Sequence, residues 1–202
     1  MVEEEVFRLE LPDLDEMDEA EQNREVYAWA GLALYFAQVF EQGMIHAVYL
    51  AQIANGTLAM EFSSADAFHE VVDKQTAGAI IKRVFKHAAL SAEVADHCAE
   101  CVEKRNFLAH RFFSERSELF FHPGGRRLML EELRVMIETF QCADAELEAV
   151  MFGYGEKINF TPDLVQQLMR AISEEAHPVG RNPQEVVDEI IRRTRPEWPE
   201  NC

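Results

Sequence analysis

The sequence predicts an all-α protein: a single-domain helical bundle with an acidic N-terminal extension. Apolar residues recur at spacings of three and four along most of the chain, which is the period of an amphipathic helix. Helix-starting and helix-ending residues separate these segments, and no region is rich in strand patterns. With 202 residues, 48% of them hydrophobic and 28% charged, the chain can bury a core of its own.

Residues 1–22 form the predicted acidic extension. They contain ten Asp and Glu residues against Arg8 alone, so we expect little independent structure, although leucines such as Leu14 can still dock on the bundle. Residues 23–202 form the predicted bundle with its C-terminal helices. Its first helix is expected from Arg24 to Asn55-Gly56, a typical helix end. The face expected to be buried comprises Val26, Ala30, Leu34, Ala37 and Phe40, widened by Tyr27, Leu32, Tyr35 and Phe36.

Two short helices are expected next, over residues 63–74 and 76–88. In the second helix, Ile80, Ile81, Val84 and Phe85 should face inward and Lys82, Arg83 and Lys86 outward. After the helix expected from Ser91 to Phe113, His122-Pro123-Gly124-Gly125 is the clearest break in the chain. A long helix should follow from about Arg127 to about Gly153, and two further helices should start near Thr161 and Asn182. The inward residues expected for the long helix are Leu130, Leu133, Met136, Ile137, Phe140, Leu147 and Val150.

The helix expected from Ser91 to Phe113 contains the residues of greatest chemical interest. Ser91 is a good N-cap residue, and an apolar stripe follows it at spacings of three and four. Arg105 interrupts this stripe, where a surface arginine is not expected. Asn106 and His110 lie about 40° apart around the helix, one turn from each other. Arg105 is about 100° round from Asn106, but its long side chain can swing back, so the three polar groups can converge at the edge of the buried face. The stripe comprises Val94, Cys98, Cys101, Arg105, Leu108 and Phe112.

The string Arg105-Asn106-x-x-x-His110, on a late helix of a small all-α protein, resembles the signature of the HEPN superfamily. The resemblance is specific over residues 105–113 and looser over residues 24–155. Many members are metal-independent endoribonucleases, including toxins of bacterial toxin–antitoxin pairs. The resemblance implies that Arg105 and His110 are catalytic and that Asn106 supports them. It also implies a homodimer, because catalytic members bring two motifs together in a cleft at the dimer axis.

Position 112 departs from the pattern of the toxin branch. There a tyrosine usually lies two residues after the histidine, and a partner nucleotidyltransferase can modify it. This chain has Phe112, which has no acceptor hydroxyl. An antitoxin-type protein partner is therefore implied by the family as a whole and not by this position.

The residue types suit RNA cleavage without a metal. The 2′-hydroxyl must lose a proton as it attacks phosphorus, and the leaving 5′-oxygen must gain one. An imidazole can do either, because its charge changes near neutral pH. A guanidinium stays protonated and can hold phosphate oxygens at two points. The amide of Asn106 can orient the imidazole or the ribose.

The charge of the chain is unevenly distributed. The net charge is −18, which repels nucleic acid at long range. Between Lys74 and Arg127, however, ten Lys and Arg face six Asp and Glu, a net of +4, which leaves −22 for the remainder. The motif thus lies in a basic segment, which is either a solvated surface of mixed charge or a patch for phosphate. In the second case the RNA-binding residues are Lys104, Arg111, Lys82, Arg83 and Lys86.

No metal or cofactor is expected. Cys98-Ala99-Glu100-Cys101 has no second ligand pair, and Glu174-x-x-His177 is a single copy where a di-iron bundle needs two. Nucleotide-binding glycine loops are absent from the sequence. A long chain with four cysteines and no export signal suggests the reducing cytoplasm. The most apolar stretch, residues 26–40, is too short to span a bilayer.

A second reading comes from a different class of function. In it the protein is a non-catalytic helical module for protein–protein interaction, and Arg105 and His110 have structural roles. The two readings differ in one geometric respect. A nuclease requires the polar ends of Arg105, Asn106 and His110 to face an open cleft, whereas a structural motif has them sealed by partners within the chain.

Overall fold

The structure is a computed structural model, and it describes residues 9–58, 71 and 74–158. The chain divides into two compact units, residues 1–158 and 159–202, and the described residues all belong to the first. These residues form six helices and contain no strand, so the predicted all-α class is confirmed. A 3₁₀ turn, Leu14–Glu16, precedes helices α1 (Glu19–Ala54), α2 (Ala77–His87), α3 (Ala92–His110), α4 (Phe112–Glu115), α5 (Ser117–Phe120) and α6 (Pro123–Lys157).

Helix α1 begins five residues before the predicted Arg24. Asp18 is its N-cap: the Asp18 carboxylate accepts from the backbone N–H of Glu21 at 2.8 Å, and the Glu21 carboxylate accepts from the N–H of Asp18 at 3.0 Å. This reciprocal capping box satisfies two amides that the helix itself leaves unpaired. Residues 19–22, part of the predicted acidic extension, therefore belong to α1. Gly43 lies within the continuous helix, although glycine is unfavourable inside helices.

The long helices α1 and α6 run parallel, and α3 runs antiparallel to both. Gln22 meets Arg126 at one end of the α1–α6 pair, and the rings of Phe40 and Phe140 stack at 6.4 Å near its middle. On α3 the order is reversed. His97, near the start of α3, bonds to Glu146, whereas Lys104, further along α3, bonds to Thr139, which lies seven residues before Glu146. The core lies between these three helices.

Most of the predicted core residues are buried, but three large side chains of α1 are not. Val26, Ala37 and Phe40 are 0% exposed, as predicted, whereas Leu34 is 37%, Tyr27 56% and Tyr35 57% exposed. These three predictions of burial were wrong, because α1 is apolar nearly all round between residues 26 and 40 and the described helices cover only part of that surface. Phe85 of α2, also expected inside, is 46% exposed. The predicted inward residues of α6 are buried or pack partly against the core.

The predicted break at residues 122–125 is the first turn of α6, which runs four residues longer at each end than expected. Pro123 stands where the first helical amide needs no partner, which makes proline favourable there. Gly125 lies against the backbone of Leu119 in α5, and a Cβ at this position would overlap the Leu119 carbonyl group. The glycine therefore allows α5 and α6 to approach closely, and it does not end a helix.

A buried polar network joins the N-terminal segment to α6. Arg126 is 2% exposed, and its Nε donates to Gln22 Oε1 at 2.9 Å while Nη1 donates to the carbonyl of Phe120 at 2.8 Å. Gln22 Nε2 in turn donates to the carbonyls of Leu14 and Met17, at 2.8 and 3.0 Å. Leu14 is 2% exposed, so this part of the acidic segment docks on the bundle.

Some sequence predictions concern residues outside the described ranges. The helices expected near Thr161 and Asn182, and nearly all of the helix expected over residues 63–74, stay predictions, as does a bundle that extends to residue 202. Among the described residues, no helix combines the length and the apolar character needed to cross a membrane.

Candidate functional site

Helix α3 positions the Arg-Asn-x-x-x-His motif as the sequence predicted. The Ser91 hydroxyl accepts from the N–H of Val94 at 3.2 Å and caps the helix. Cys98, Cys101 and Leu108 of the apolar stripe are buried. The helix ends at His110, three residues before the predicted end at Phe113, because Arg111 departs from helical geometry with φ −131° and ψ −21°. This rotational register is fixed by burial, and it decides where each polar group of the motif points.

Arg105 lies at the edge of the core and is bound by a residue of α1. Its Nε lies 2.6 Å from Oε1 of Glu41, and its Nη2 donates to Oε2 at 3.5 Å. The side chains of Arg105 and Glu41 are 27% and 16% exposed. The Glu41 carboxylate therefore binds the guanidinium at two points. Both groups are largely shielded from water, so the ion pair is stronger than one at an open surface.

Asn106 and His110 lie on the outer side of α3 and are both exposed. The Asn106 side-chain oxygen accepts from Arg105 Nη1 at 3.3 Å, so the arginine is held from two sides. Within the described ranges His110 makes no hydrogen bond or ion pair. Helix geometry places it one turn beyond Asn106, with Cβ atoms about 5–6 Å apart. The structure thus brings Arg105 and Asn106 into contact and places His110 one turn beyond Asn106, about 140° around α3 from Arg105.

Glu41 is a site residue that the sequence analysis did not identify. A signal for it was present, because Glu41 is the first charged residue after fifteen uncharged positions, 26–40. A carboxylate at the end of so apolar a stretch marks where the buried surface of α1 meets a polar partner. Periodicity within α1 could not name that partner, which lies 64 residues away along the chain.

The predicted RNA-binding cations divide into two groups. Lys104 and Arg111 lie on and just after α3, but each already has carboxylate partners: Lys104 pairs with Glu100 at 2.8 Å and Arg111 with Glu115 at 3.3 Å. Lys104 also donates to Thr139 Oγ1 at 2.9 Å. Each of these two cations is therefore already paired with a carboxylate of its own chain.

The other three cations, Lys82, Arg83 and Lys86, belong to α2. The end of α2 lies beside the C-terminal part of α1, where Gln52 Nε2 and His87 Nδ1 are 3.5 Å apart. Gln52 is eleven residues beyond Glu41, which corresponds to roughly 16 Å along α1. Within one chain, the α2 cations therefore lie at a different level of the bundle from the motif.

A groove of about 680 Å³ lies on the other side of α3, between it and α6. Its most distinctive feature is the ring of Phe107, with the guanidiniums of Arg111 and Arg116 at 5.4 and 5.1 Å from the ring centroid. Arg116 is itself held by Glu132 through hydrogen bonds of 2.8 and 2.7 Å, and these bonds raise its pKa. The groove contains both signs of charge, because Glu103, Glu131 and Glu132 also line it.

The C-x-x-C pair belongs to the core, as predicted. Cys98 and Cys101 are free thiols and 0% exposed, and burial raises the pKa of each to about 12. Thiols in this state are protonated and poor metal ligands or nucleophiles. In the described part of the chain, no three His, Cys, Asp or Glu residues cluster in a way that could hold a metal ion.

A second group of acidic side chains lies on the α1–α6 contact. Asp144 packs over Gly43, where a Cβ would stand 2.5 Å from its Oδ1. Burial raises the pKa of Asp144, and the neighbouring charge of Glu148 raises it further. The Asp144 carboxyl group is thus partly desolvated. It fits there because Gly43 has no side chain.

Comparisons of the chain with family models, with curated proteins and with solved structures found no match.

Proposed function

We propose that this protein is a HEPN-like, metal-independent endoribonuclease that cleaves single-stranded RNA at a site composed of Arg105, Asn106 and His110 from two copies of the chain. One observation supports this proposal above the others. Arg105 is fixed by Glu41 and Asn106, while His110, one turn beyond Asn106 on α3, is exposed and has no partner among the described residues. A fixed cation and an accessible imidazole within two turns of one helix are groups that phosphoryl transfer can use.

The bonds of Arg105 leave donors for a substrate. A guanidinium has five N–H groups. Glu41 takes the Nε proton and one on Nη2, and Asn106 takes one on Nη1, so one proton remains on each terminal nitrogen. Two donors on neighbouring nitrogens can bind two oxygens of a phosphate. Glu41 then acts as a positioning residue, because it sets the plane of the guanidinium.

The reaction needs two proton transfers, and each chain offers one His110. In the composite site, one imidazole removes the proton of the 2′-hydroxyl as its oxygen bonds to phosphorus. The bond from phosphorus to the 5′-oxygen breaks, and the other imidazole, in its protonated form, supplies the proton that this oxygen takes up. The products are a 2′,3′-cyclic phosphate and a free 5′-hydroxyl. Arg105 stabilises the charge that builds up on the phosphoryl oxygens.

The biological role within this proposal is that of a toxin or defence protein of the cytoplasm, controlled by an antitoxin-type protein. Control by modification of a tyrosine two residues after the histidine does not apply here. Phe112 has no hydroxyl, and its side chain is 0% exposed. The antitoxin of this proposal therefore acts by binding.

A second candidate, the non-catalytic interaction module, is favoured by a different observation. Glu41 neutralises Arg105, and Lys104, Arg111 and Arg116 each have an acidic partner within the chain. In this candidate the ion pair joins α1 to α3, and His110 has no chemical role.

The deciding experiment measures RNA cleavage in EDTA together with thermal unfolding, for wild type, His110→Ala, Arg105→Lys and Arg105→Ala. His122→Ala is the matched control, since His122 is also an exposed histidine but lies just before α6, away from the motif helix. The nuclease proposal expects His110→Ala to slow cleavage by roughly 10²–10⁴ without changing the melting temperature. Arg105→Lys should also lose activity, because an ammonium cannot replace a two-point fork. His122→Ala should cleave like wild type.

Other outcomes decide against the nuclease. Cleavage that survives both His110→Ala and Arg105→Ala is contamination. If wild type cleaves no RNA and Arg105→Ala melts far below it, the interaction module is supported. For Arg105→Ala, the loss in the free energy of unfolding should stay below the ~3–5 kcal/mol that is typical of breaking a fully buried pair, because the Arg105 side chain is 27% exposed.

A further inference from the structure

An apolar face of α1 remains exposed beside the motif. Tyr27, Leu34 and Tyr35 are 56%, 37% and 57% exposed, and Gly31 lies between them on the same side of the helix. Phe113, 42% exposed, extends this surface through its ring contact with Tyr27 at 5.5 Å. We call these five residues the α1 face.

The pattern of α1 continues past this face to residues that are covered. Positions 27, 31, 34, 38 and 45 recur along one side of the helix; position 38 is an exposed Gln, and Ile45, in the half of α1 where α2 packs, is only 2% exposed. This side is thus buried in one half of the helix and open in the other. Residues 26–40 are apolar or aromatic except Gln38, and a helical stretch of this kind is normally buried on most sides.

Gly31 leaves the backbone of α1 open at the middle of this face. Glycine inside a helix is unfavourable by about 1 kcal/mol relative to alanine. Gly43 and Gly125 are packed within the chain, against Asp144 and Leu119. No described atom lies within 4 Å of a Cβ at Gly78, Gly124 or Gly153, and the same holds at Gly31. The absence of a side chain there suits the close approach of another helix.

The charge of the protein favours a second copy as the occupant. Two chains of net charge −18 repel each other, but residues 26–40 contain no Asp, Glu, Lys or Arg. Contact through this stretch buries no charge. The three half-exposed aromatic rings offer about 100 Å² each, so the face supplies a substantial part of the roughly 800 Å² per partner that a stable interface buries.

We infer that the α1 face is a homodimer interface, in which α1 crosses its counterpart in the second copy near Gly31. The choice of a second copy rests on the proposed function, because the composite site is incomplete in a single chain. Phe113 lies three residues after His110, so the interface ends beside the motif and brings the motif of the partner near it. Self-complementary packing about a two-fold axis is the commonest form of protein oligomer.

The test is the mass of the full-length chain, measured by size exclusion with light scattering at micromolar concentration. Wild type should have twice the 23.2 kDa mass of the chain. Leu34→Glu should be monomeric and equally helical by circular dichroism. Leu128→Glu is the matched control, because Leu128 is 54% exposed on α6 and should leave the dimer intact. Gly31→Leu should also shift the equilibrium to monomer, because the new side chain prevents the close approach of the two helices even though it adds apolar surface.

A wild-type monomer would overturn the inference, as would a dimer that Leu34→Glu disturbs no more than Leu128→Glu. A dimer unaffected by Gly31→Leu overturns the crossing at Gly31. Mass is measured without RNA, so the dimer result stands whether or not the protein cleaves RNA. A dimer that passes these tests and cleaves nothing contradicts the proposed nuclease alone.

Discussion

The Glu41 carboxylate holds the Arg105 guanidinium at two points, with Nε 2.6 Å from Oε1 and Nη2 3.5 Å from Oε2. The pair joins helices α1 and α3 across 64 residues of sequence. It has two consequences that are separable by experiment. It contributes to the stability of the bundle, and in the proposed nuclease it orients the arginine toward phosphate.

The first prediction concerns Glu41→Gln, which keeps the shape of the side chain and removes its charge. We expect a loss of about 1–2 kcal/mol in the free energy of unfolding, because Arg105 loses a charged partner but keeps some access to water. Urea unfolding measures this. Glu115→Gln is the control: its pair with Arg111 is 45–60% exposed and should contribute under ~1 kcal/mol. Equal losses in the two variants would show that the Glu41 pair stabilises no more than a surface pair.

The second prediction compares two adjacent glycines. Gly125→Ala should lower the free energy of unfolding by roughly 1–3 kcal/mol, since the new Cβ overlaps the backbone of Leu119 and α5 must move. Gly124→Ala should be neutral or should stabilise by up to ~1 kcal/mol, because a Cβ there meets no described atom within 4 Å and alanine favours the helix. Denaturant midpoints of the two variants give the answer. A Gly125→Ala protein as stable as Gly124→Ala would contradict the tight contact between α5 and α6.

The third prediction concerns the thiols. Burial raises the pKa of Cys98 and Cys101 to about 12, so neither forms thiolate at mildly alkaline pH and both are shielded from solvent. Iodoacetamide at pH 8 should label Cys142, which is exposed, and leave these two unmodified in the native protein. Peptide mapping by mass spectrometry distinguishes the sites, and labelling in denaturant shows that all can react. Fast native labelling of Cys98 would contradict its place in the core.

The fourth prediction is a pH dependence. The pKa of Asp144 is raised from 3.8 in the folded state, by burial and by Glu148, so the folded protein holds this proton more tightly than the unfolded chain. The stability that the protonated group contributes is full below pH 3.8 and is lost as the pH rises through the raised pKa. Asp144→Asn should therefore melt above wild type at neutral pH, and this gain should shrink as the pH falls toward 3.8.

Melting temperatures across that range test the sign of the effect. Glu148→Gln should give a smaller gain in the same direction, because it removes only the neighbouring charge. A gain for Asp144→Asn that grows on acidification would mean that the ionised carboxylate stabilises the fold.

The local parts of the site could be predicted from the sequence. Ser91 and the apolar spacing after it gave the start of α3 and its rotation, and these place Arg105 at the edge of the core and Asn106 one turn from His110. Each of these statements depends on residues within a few turns of one another. The start of α1 was also encoded locally, in the capping box of Asp18 and Glu21, but the acidic run around it obscured the signal.

The sequence by itself determined that the described part of the chain is helical, which residues share a face of each helix, and where Arg105, Asn106 and His110 lie along α3. The tertiary structure alone decided that Glu41 binds Arg105, that Gly125 belongs to a helix contact, and that Leu34 is exposed. The physical reason is the range of the interactions. Helix period and capping act within one or two turns, whereas burial and ion pairing depend on which helix faces become neighbours. A periodic pattern shows that a face is apolar, and only the packed bundle shows whether another helix covers it.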